Sequence, residues 1–447
     1  MKRIKSMTAK RAYPRSYANP VLTLAVAFLM LAATGSARAE LLIRITEGAN
    51  AAIPVAVVPF AESGTMPAGD KIGSIVRSDL TMSGQFNLLA PEKMLSLPSQ
   101  RSDVYFRDWR MLGQRYLLVG QVSREGDQLR ARYELFDVNR EQRILGETAS
   151  APASRARSLG HHISDKVYEA ITGEPGVFST RLAYVTVAGQ GEDIRYRLQV
   201  SDVDGKRSKV RLESGEPILS PAWSPDGKKL AYVSFETGKP VIFVHELATG
   251  ERRKVADFRG LNSAPAWSPD GKSLLMTLSR DGNAEVYKME LASGDLTRLT
   301  HHWAIDTEGS WDHSGRGIFF TSDRSGGPQI YHMERLGGEA RRITFGGRYN
   351  ARPRPDANGE YVYYVHQREG EFVIARTHLD NGQESIVTRT GADESPSLSP
   401  NGRLLIYATE QDGDSVLSVV STEGGAAYSL PAAEGEVRDP AWGPITR

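Results

Sequence analysis

Two pairs of adjacent histidines and one acidic motif have the residue types that bind metal ions. His161 and His162 lie on a segment with helical periodicity, and His301 and His302 lie between two strand-like segments. A zinc site needs at least a third protein ligand, and the sequence shows none near either pair. The acidic stretch 202–204 resembles the start of a calcium loop that lacks its distal glutamate, so a hairpin turn is the better interpretation. We therefore predict no metal site.

Other sequences that resemble catalytic or phosphate-binding motifs are incomplete. Residues 271–273 read Gly-Lys-Ser, like the end of a phosphate-binding loop, but Ala266 stands where that loop begins with glycine. Residues 245–246 open like a zinc-protease motif, and Thr249 stands at the second histidine position. The chain has no Gly-x-Ser-x-Gly motif and no cysteine. None of these motifs is complete enough to place a catalytic or phosphate-binding site.

Composition describes a globular chain of more than one domain. The 447 residues are 40% hydrophobic and 24% charged, which is ordinary for folded soluble proteins. A length of this order favours two or three domains. Without cysteine, disulfide frameworks, thiolate zinc sites, iron–sulfur clusters and cysteine nucleophiles are excluded.

The first 39 residues have the order of parts of a secretory signal peptide. Seven basic residues and no acidic ones occur there, an apolar run covers residues 21–33, and Ala37-Arg38-Ala39 follows. That run is shorter than the roughly 20 residues that span a bilayer. A membrane anchor is the alternative. We predict cleavage before Glu40 and an exported mature chain without a membrane span.

Removal of the leader changes the charge of the protein. The full chain carries +1, with 55 basic against 54 acidic residues, whereas the mature chain would keep 48 basic residues and carry −6. An acidic chain without a basic patch lacks the electrostatic footprint of nucleic-acid binding. We therefore predict that nucleic acids are not partners.

A repeat of about 44 residues starts near residue 177. Ala-Trp-Ser-Pro-Asp-Gly-Lys occurs at 222–228 and again at 266–272. Weaker copies lie at 310–315, 355–359, 398–402 and 441–444. Pro followed by Asp-Gly is typical of a tight turn, and an apolar run follows most copies as the next strand would. A period of 40–50 residues of strand-like units predicts a β-propeller with one blade per repeat.

The number of repeats predicts a closed ring of six blades. The first apolar strand, residues 182–185, has no inner strand before it, and the last inner strand, residues 439–442, has no blade after it. If the C-terminal strand completes the first blade, the ring closes and hides two strand edges. An open solenoid is the alternative.

Residues 40–176 lack the repeat and alternate between strand and helix patterns. Residues 53–60 are a candidate buried strand, and apolar residues at helical spacing occupy 72–80 and 159–171. The predicted organisation is a signal peptide at 1–39, an α+β N-terminal domain at 40–176, and an all-β six-bladed β-propeller at 177–447 that the C-terminal strand closes.

The loops that lead into the inner strands are expected to surround one mouth of the propeller channel. Several of these loops are acidic, and variable loops on a rigid ring make a docking surface. Two alternatives stay open from the residues alone. One is an exported hydrolase or sugar-binding enzyme, and the other is a propeller whose channel binds a cation or a small ligand.

The sequence resembles the TolB family, the periplasmic component of the Tol–Pal system of Gram-negative envelopes. The resemblance rests on the order of leader, α+β domain and six blades, and on specific stretches at residues 57–60, 119–122, 197–202, 220–233 and 439–442. The blade motif alone occurs in many propellers, whereas this combination is specific.

The resemblance implies an adaptor that is not an enzyme, needs no cofactor and binds the lipoprotein Pal through the propeller mouth. Its Pal-binding positions would be Leu261, Ala264, Thr307, Asp393 and Glu394. Leu261 departs from the histidine that is common in the family at this position, which puts its role in doubt. The implied protein is a periplasmic monomer that supports outer-membrane invagination during cell division and outer-membrane integrity, with further envelope proteins as additional partners.

The resemblance also implies that TolA binds the N-terminal segment of the mature chain. An ordinary edge strand is the alternative for this segment, and a detachable strand can pair with a partner sheet by strand addition. The residues concerned are Glu40, Leu41, Leu42, Ile43, Arg44, Ile45, Thr46 and Glu47.

Overall fold

The computed structural model describes residues 52–65, 71–431 and 435–446. The predicted signal peptide and the predicted TolA-binding segment Glu40–Glu47 lie outside the described residues.

A mixed sheet and three helices form the N-terminal region. Parallel pairing joins β1 to β3 and to β4, and β4, β5 and β6 continue as an antiparallel meander. The elements in chain order are β1 (Ile53–Val57), β2 (Ala61–Ser63), α1 (Ile72–Met82), β3 (Phe86–Leu88), α2 (Phe106–Met111), β4 (Tyr116–Glu125), β5 (Gln128–Asp137), β6 (Gln142–Pro152) and α3 (Ala156–Thr172).

Because successive residues of a strand point to opposite faces, this sheet contributes side chains to two hydrophobic cores. Val55 and Val57 pack with α1 and α3, whereas Ala56 and Val58 pack with Trp109 of α2 on the other face. The two long helices lie close together because Gly160 of α3 has no side chain, and a Cβ there would be 2.8 Å from Ile75. Gly173 ends α3 in the left-handed conformation.

The rest of the described chain forms six four-stranded antiparallel sheets. Each has its inner strand at the channel and its fourth strand at the rim. The strands are β7 (Arg181–Ala188), β8 (Arg195–Asp202), β9 (Lys209–Ser214), β10 (Ile218–Trp223), β11 (Lys229–Ser234), β12 (Val241–Glu246), β13 (Arg252–Ala256), β14 (Asn262–Trp267), β15 (Ser273–Leu278), β16 (Glu285–Glu290), β17 (Leu296–Arg298), β18 (Asp306–Trp311), β19 (Ile318–Ser322), β20 (Gln329–Met333), β21 (Ala340–Arg342), β22 (Asn350–Pro355), β23 (Tyr361–Arg368), β24 (Glu371–His378), β25 (Glu384–Ile386), β26 (Glu394–Leu398), β27 (Leu404–Gln411), β28 (Asp414–Ser421), β29 (Tyr428–Ser429) and β30 (Glu436–Trp442).

Blade 1 is composed of both ends of the repeat region. Its sheet order is β30-β7-β8-β9, and Trp442 pairs with Leu182. Blades 2 to 6 follow in chain order and begin at β10, β14, β18, β22 and β26. The fold class predicted from the sequence is confirmed, including the closing C-terminal strand.

The repeated tryptophans join neighbouring blades. Trp223 donates its indole N–H to the carbonyl of Ala441 at 3.1 Å, and Trp267 donates to Ala222 at the same distance. Trp311 donates to Ala266 at 3.3 Å. Each indole therefore bonds the inner strand of the preceding blade, which makes these residues structural anchors.

The N-terminal region contacts the propeller face that carries the Pro-Asp-Gly turns. Asn401, in the turn of blade 6, donates to the carbonyl of Pro175 at 2.8 Å, and Arg403 pairs with Glu174. Asp165 of α3 accepts the backbone N–H of Phe178 at 2.6 Å. The mouth loops lie on the opposite face of the propeller. The N-terminal region therefore contacts one face, and the mouth loops surround the channel at the other.

None of the helices in the described ranges is long and apolar enough to cross a membrane.

Candidate partner-binding site

Large apolar side chains are exposed on the mouth loops of blades 2 to 4. Trp303 is 80% exposed, Ile305 is 51% exposed and Leu261 is 36% exposed. Their loops are held by short contacts: Leu261 N–H donates to Ser279 Oγ at 2.8 Å, and Ile305 N–H donates to Asp323 Oδ1 at 2.9 Å. Exposed apolar side chains on ordered loops are typical of protein-binding surfaces.

A ring of six non-glycine residues with positive φ lies inside the mouth. Each belongs to an inner strand, at a bulge where the pairing with the next strand skips two residues. Left-handed backbone at non-glycine residues costs free energy and is found preferentially at functional sites. We call these residues the bulge ring: Ser220, Ala264, Glu308, Arg352, Ser395 and Asp439.

Arg352 connects three members of the bulge ring across the channel. Its guanidinium lies 3.1 Å from both Glu308 Oε1 and Asp439 Oδ1, and it donates to Ser395 Oγ. Burial alone would lower the pKa of Arg352, but Asp439, Glu308 and Glu394 together raise it above its ordinary value. The channel therefore contains a permanent positive charge surrounded by carboxylates.

A cavity of 860 Å³ opens between blades 5, 6 and 1 beside Arg352. Carboxylates of Glu394, Glu410, Asp414 and Glu436 line it, together with aromatic side chains such as Phe372. This half of the mouth can accept hydrogen-bond donors or a positively charged group, whereas the loops of blades 2 to 4 offer apolar contacts.

The structure places the five predicted Pal-binding residues on the mouth face in different environments. Leu261 is exposed, and Ala264 and Thr307 are half-buried next to the channel. Asp393 is fully buried, and its carboxylate accepts hydrogen bonds from the hydroxyls of three threonines, so its side chain is used within the loop. Glu394 is exposed at the cavity.

Sequence reasoning missed Trp303, Ile305 and Arg352 as site residues. Trp303 and Ile305 could have been found, because two large apolar residues in a polar loop next to Thr307 are an available signal. Arg352 could not, because its proximity to Glu308 and Asp439 depends on ring closure.

A second charged cluster joins α1 and α3 to blade 1. His161 Nδ1 lies 2.8 Å from Asp79 Oδ2, and its Nε2 lies 3.7 Å from Asp202 Oδ2. Arg157 donates to Asp204 and lies 3.6 Å from Asp202. Asp79, His161 and Asp204 are close enough to hold a metal ion. Because the Arg157 guanidinium already occupies Asp204, we interpret the group as a buried ion-pair cluster.

The other predicted histidine pair lies on a mouth loop. His301 is exposed, whereas His302 is half-buried and its ring lies tilted by 34° against that of Trp303, with ring centres 5.2 Å apart. His302 Nδ1 accepts the N–H of Ala304 at 3.1 Å. The imidazole of His302 therefore helps to fix the conformation of the loop that exposes Trp303.

Comparison with known proteins covers nearly the whole chain. Residues 41–144 match the TolB amino-terminal domain, and residues 168–446 match the TolB beta propeller domain. The Tol-Pal system protein TolB of Hahella chejuensis is 62% identical over 418 residues, which cover 93% of this chain and 97% of that protein. The same protein of Alcanivorax borkumensis is 56% identical and covers 92% and 94% of the two chains.

A solved structure agrees with both regions. The crystal structure of TolB from Acinetobacter baumannii superposes with a TM-score of 0.81 at 42% identity, over 88% of this chain and 97% of that one. Together with the two domain matches and the bladed ring, these similarities show that the chain belongs to the TolB family of Tol-Pal system proteins.

Proposed function

We propose that this protein is a non-catalytic periplasmic adaptor of the Tol–Pal system. It binds the lipoprotein Pal through the propeller mouth and TolA through Glu40–Glu47, and in this way supports outer-membrane invagination during division and outer-membrane integrity. Export by the predicted leader would place it between the two membranes that carry these partners.

The observation that carries the proposal is the apolar surface of the mouth. Trp303, Ile305 and Leu261 are exposed there on loops that hydrogen bonds hold in place. Ordered apolar side chains lose little conformational entropy when a partner covers them, which favours protein binding. Thr307 and Ala264 lie directly inside this surface, where a partner that reaches the channel would contact them.

Replacing Thr307 or Ala264 with arginine is expected to weaken Pal binding more than tenfold. Each change adds a long charged side chain at the centre of the proposed interface, where a loss of roughly 1.4 kcal/mol already gives a tenfold effect. Titration calorimetry of the mature protein with the soluble domain of Pal measures the affinity.

Ala292→Arg is the matched control for these variants. Ala292 is exposed in the β16–β17 turn, on the face opposite the mouth. The Ala292→Arg variant is expected to bind Pal with the same affinity as the unmodified protein. If Ala292→Arg weakens binding as much as Ala264→Arg, the proposed interface is on the wrong face.

Deletion of residues 40–47 is expected to abolish TolA binding while the propeller stays folded. The segment precedes β1, and each of the six sheets of the ring already has four strands among the described residues. A pull-down with the periplasmic domain of TolA measures binding, and thermal unfolding and Pal binding serve as controls for the fold. Retained TolA binding would assign that partner to another surface.

A further inference from the structure

Two carboxylates are buried together beneath the mouth loop that carries Trp303. Glu285 begins β16 and Asp306 begins β18, and both side chains are fully buried. The loop between Leu299 and Asp306 is fixed to the start of β16 by several bonds. Asp306 N–H donates to the carbonyl of Ala284 at 2.9 Å, and Asn283 Nδ2 donates to the carbonyl of His302 at 2.6 Å.

Each carboxylate uses one oxygen and leaves the other without a partner. Glu285 Oε1 accepts from Arg298 at 2.6 Å and from the N–H of His302 at 3.0 Å. Asp306 Oδ2 accepts from Arg324 at 2.6 Å. Glu285 Oε2 and Asp306 Oδ1 are buried and have no hydrogen-bond partner among the described residues. Buried oxygens of this kind are costly unless a proton, a water or an ion satisfies them.

The next blade shows how these two positions are oriented. Gln329 and Asn350 stand 44 residues after Glu285 and Asp306, and Asn350 Nδ2 donates to Gln329 Oε1 at 2.8 Å. The surrounding backbone is equivalent, since Thr300 and Thr344 accept the N–H groups of equivalent residues at 2.9 Å in both blades. The same placement in blade 3 would direct Asp306 Oδ1 towards Glu285 Oε2, and the charge of Glu285 already acts on Asp306.

We propose that Glu285 and Asp306 share one proton and that the resulting hydrogen bond fixes the mouth loop. Neither arginine reaches the two remaining oxygens, and one proton held by Asp306 would convert the repulsion between these oxygens into an O–H···O⁻ bond. A metal ion is disfavoured there, because Arg298 and Arg324 already place two positive charges on the pair.

The surrounding charges give the direction of the pH dependence. Burial raises the pKa of Asp306, and Glu285 raises it further against the lowering effects of Ser322 and Arg324. Arg298 and Arg324 contact the pair directly. The titratable residues next to these contacts are His302, whose backbone N–H bonds Glu285, Asp281, which Arg298 affects, and Asp323, which accepts the N–H of Ile305. Because the folded pKa is above the ordinary carboxyl value, the stability that the shared proton contributes is lost as pH rises through that folded pKa.

Loss of the proton would loosen the loop that displays Trp303 and Ile305. The expected effect of pH on Pal affinity depends on the proposed function, because it assumes that Pal binds this loop. The shared proton does not depend on that function. The two are tested separately, by unfolding and hydrogen exchange for the proton and by calorimetry with Pal for its consequence.

The variants Asp306→Asn and Glu285→Gln test the proposal on the full mature chain. Either amide supplies an N–H in place of the shared proton, as Asn350 does in blade 4. The melting temperature of each variant relative to the unmodified protein is expected to rise by about 2 °C or more between pH 5 and pH 9. Glu290→Gln, at the half-buried far end of the same strand, is expected to show a constant difference.

Hydrogen exchange provides a second measurement that needs no variant. In the unmodified protein, protection of the His302 and Asp306 amides is expected to fall with rising pH relative to the Asn350 amide in the equivalent loop. Equal pH profiles for the two loops, or parallel melting curves for all variants, overturn the proposal. A calcium-dependent rise in melting temperature that Asp306→Asn abolishes also overturns it, because the pair would then hold a cation.

Discussion

Deletion of residues 436–447 is expected to prevent the formation of a stable propeller. These residues supply the inner strand of blade 1, which pairs with β7 from Glu436 to Trp442. Without them, β7 has an unpaired edge at the channel, and blade 6 loses its contacts with β30. Circular dichroism and gel filtration of the truncated protein are expected to show loss of cooperative unfolding and formation of aggregates.

The substitution Trp442→Ala is expected to destabilise the closed ring without preventing it from folding. Trp442 is buried, and its indole donates to Thr180 Oγ1 at 2.8 Å. Truncation of a buried tryptophan costs about 3–5 kcal/mol, a large share of the roughly 5–15 kcal/mol that stabilises a typical domain. The measurement is the free energy of unfolding in urea.

Trp303→Ala is the matched control for Trp442→Ala, since it removes the same side chain from an exposed position. Its free energy of unfolding is expected to change by less than about 0.5 kcal/mol. If the two variants are equally stable, β30 does not close the ring in the way described.

Replacement of His161 with alanine is expected to destabilise the contact between the N-terminal region and blade 1 by about 3–5 kcal/mol. The change removes a cation from the buried Asp79 carboxylate and from the neighbourhood of Asp202. His162→Ala is the matched control, because His162 is the next residue on α3 and is exposed. Urea unfolding at pH 6 measures both, and equal effects of the two variants would contradict a buried ion-pair role for His161.

The His161 contribution is expected to disappear at alkaline pH. Burial would lower the pKa of His161, but Asp202 and Asp79 outweigh it and raise that pKa to about 10. A group whose pKa is raised by folding contributes fully below its unfolded value and loses that contribution as pH rises through the folded value. The stability difference between His161→Ala and the unmodified protein should therefore shrink from about pH 6.5 towards pH 10.

Asp202 of the same cluster has the opposite pH dependence. Burial would raise its pKa, but His161 and Arg207 lower it to about 2. Its contribution is present above the ordinary carboxyl value and is lost as pH falls towards 2. The cluster should thus be most stabilising between these two limits.

The propeller could be predicted because the sequence motifs that specify its hairpins are short and recur in every blade. Each Pro-Asp-Gly turn sets one hairpin, and the steps between glycines set the blade length, so the count of inner strands was enough to predict closure. In the N-terminal region, β2, β3, β6 and α2 were not predicted. β2 and β3 have three residues each, β6 is exposed along most of its length and α2 has six residues, so none has a clear hydrophobic period.

The candidate site could be predicted only in part. The positions of Leu261, Ala264 and Thr307 followed from the family resemblance and the repeat. The bulge ring has no sequence signature, because residues as different as Ser220, Glu308 and Arg352 adopt the same left-handed backbone at equivalent positions. The Glu285–Asp306 pair likewise depends on contacts between blades that no short motif records.

The composite first blade has a consequence for the time course of folding. Trp442 and Leu182 are neighbours in the sheet although about 260 residues separate them in sequence. Contacts between residues so far apart in sequence form late in folding, because bringing the two segments together costs a large loop-closure entropy. Because β30 follows every other strand in the chain, the ring cannot close until that last strand has emerged from the ribosome.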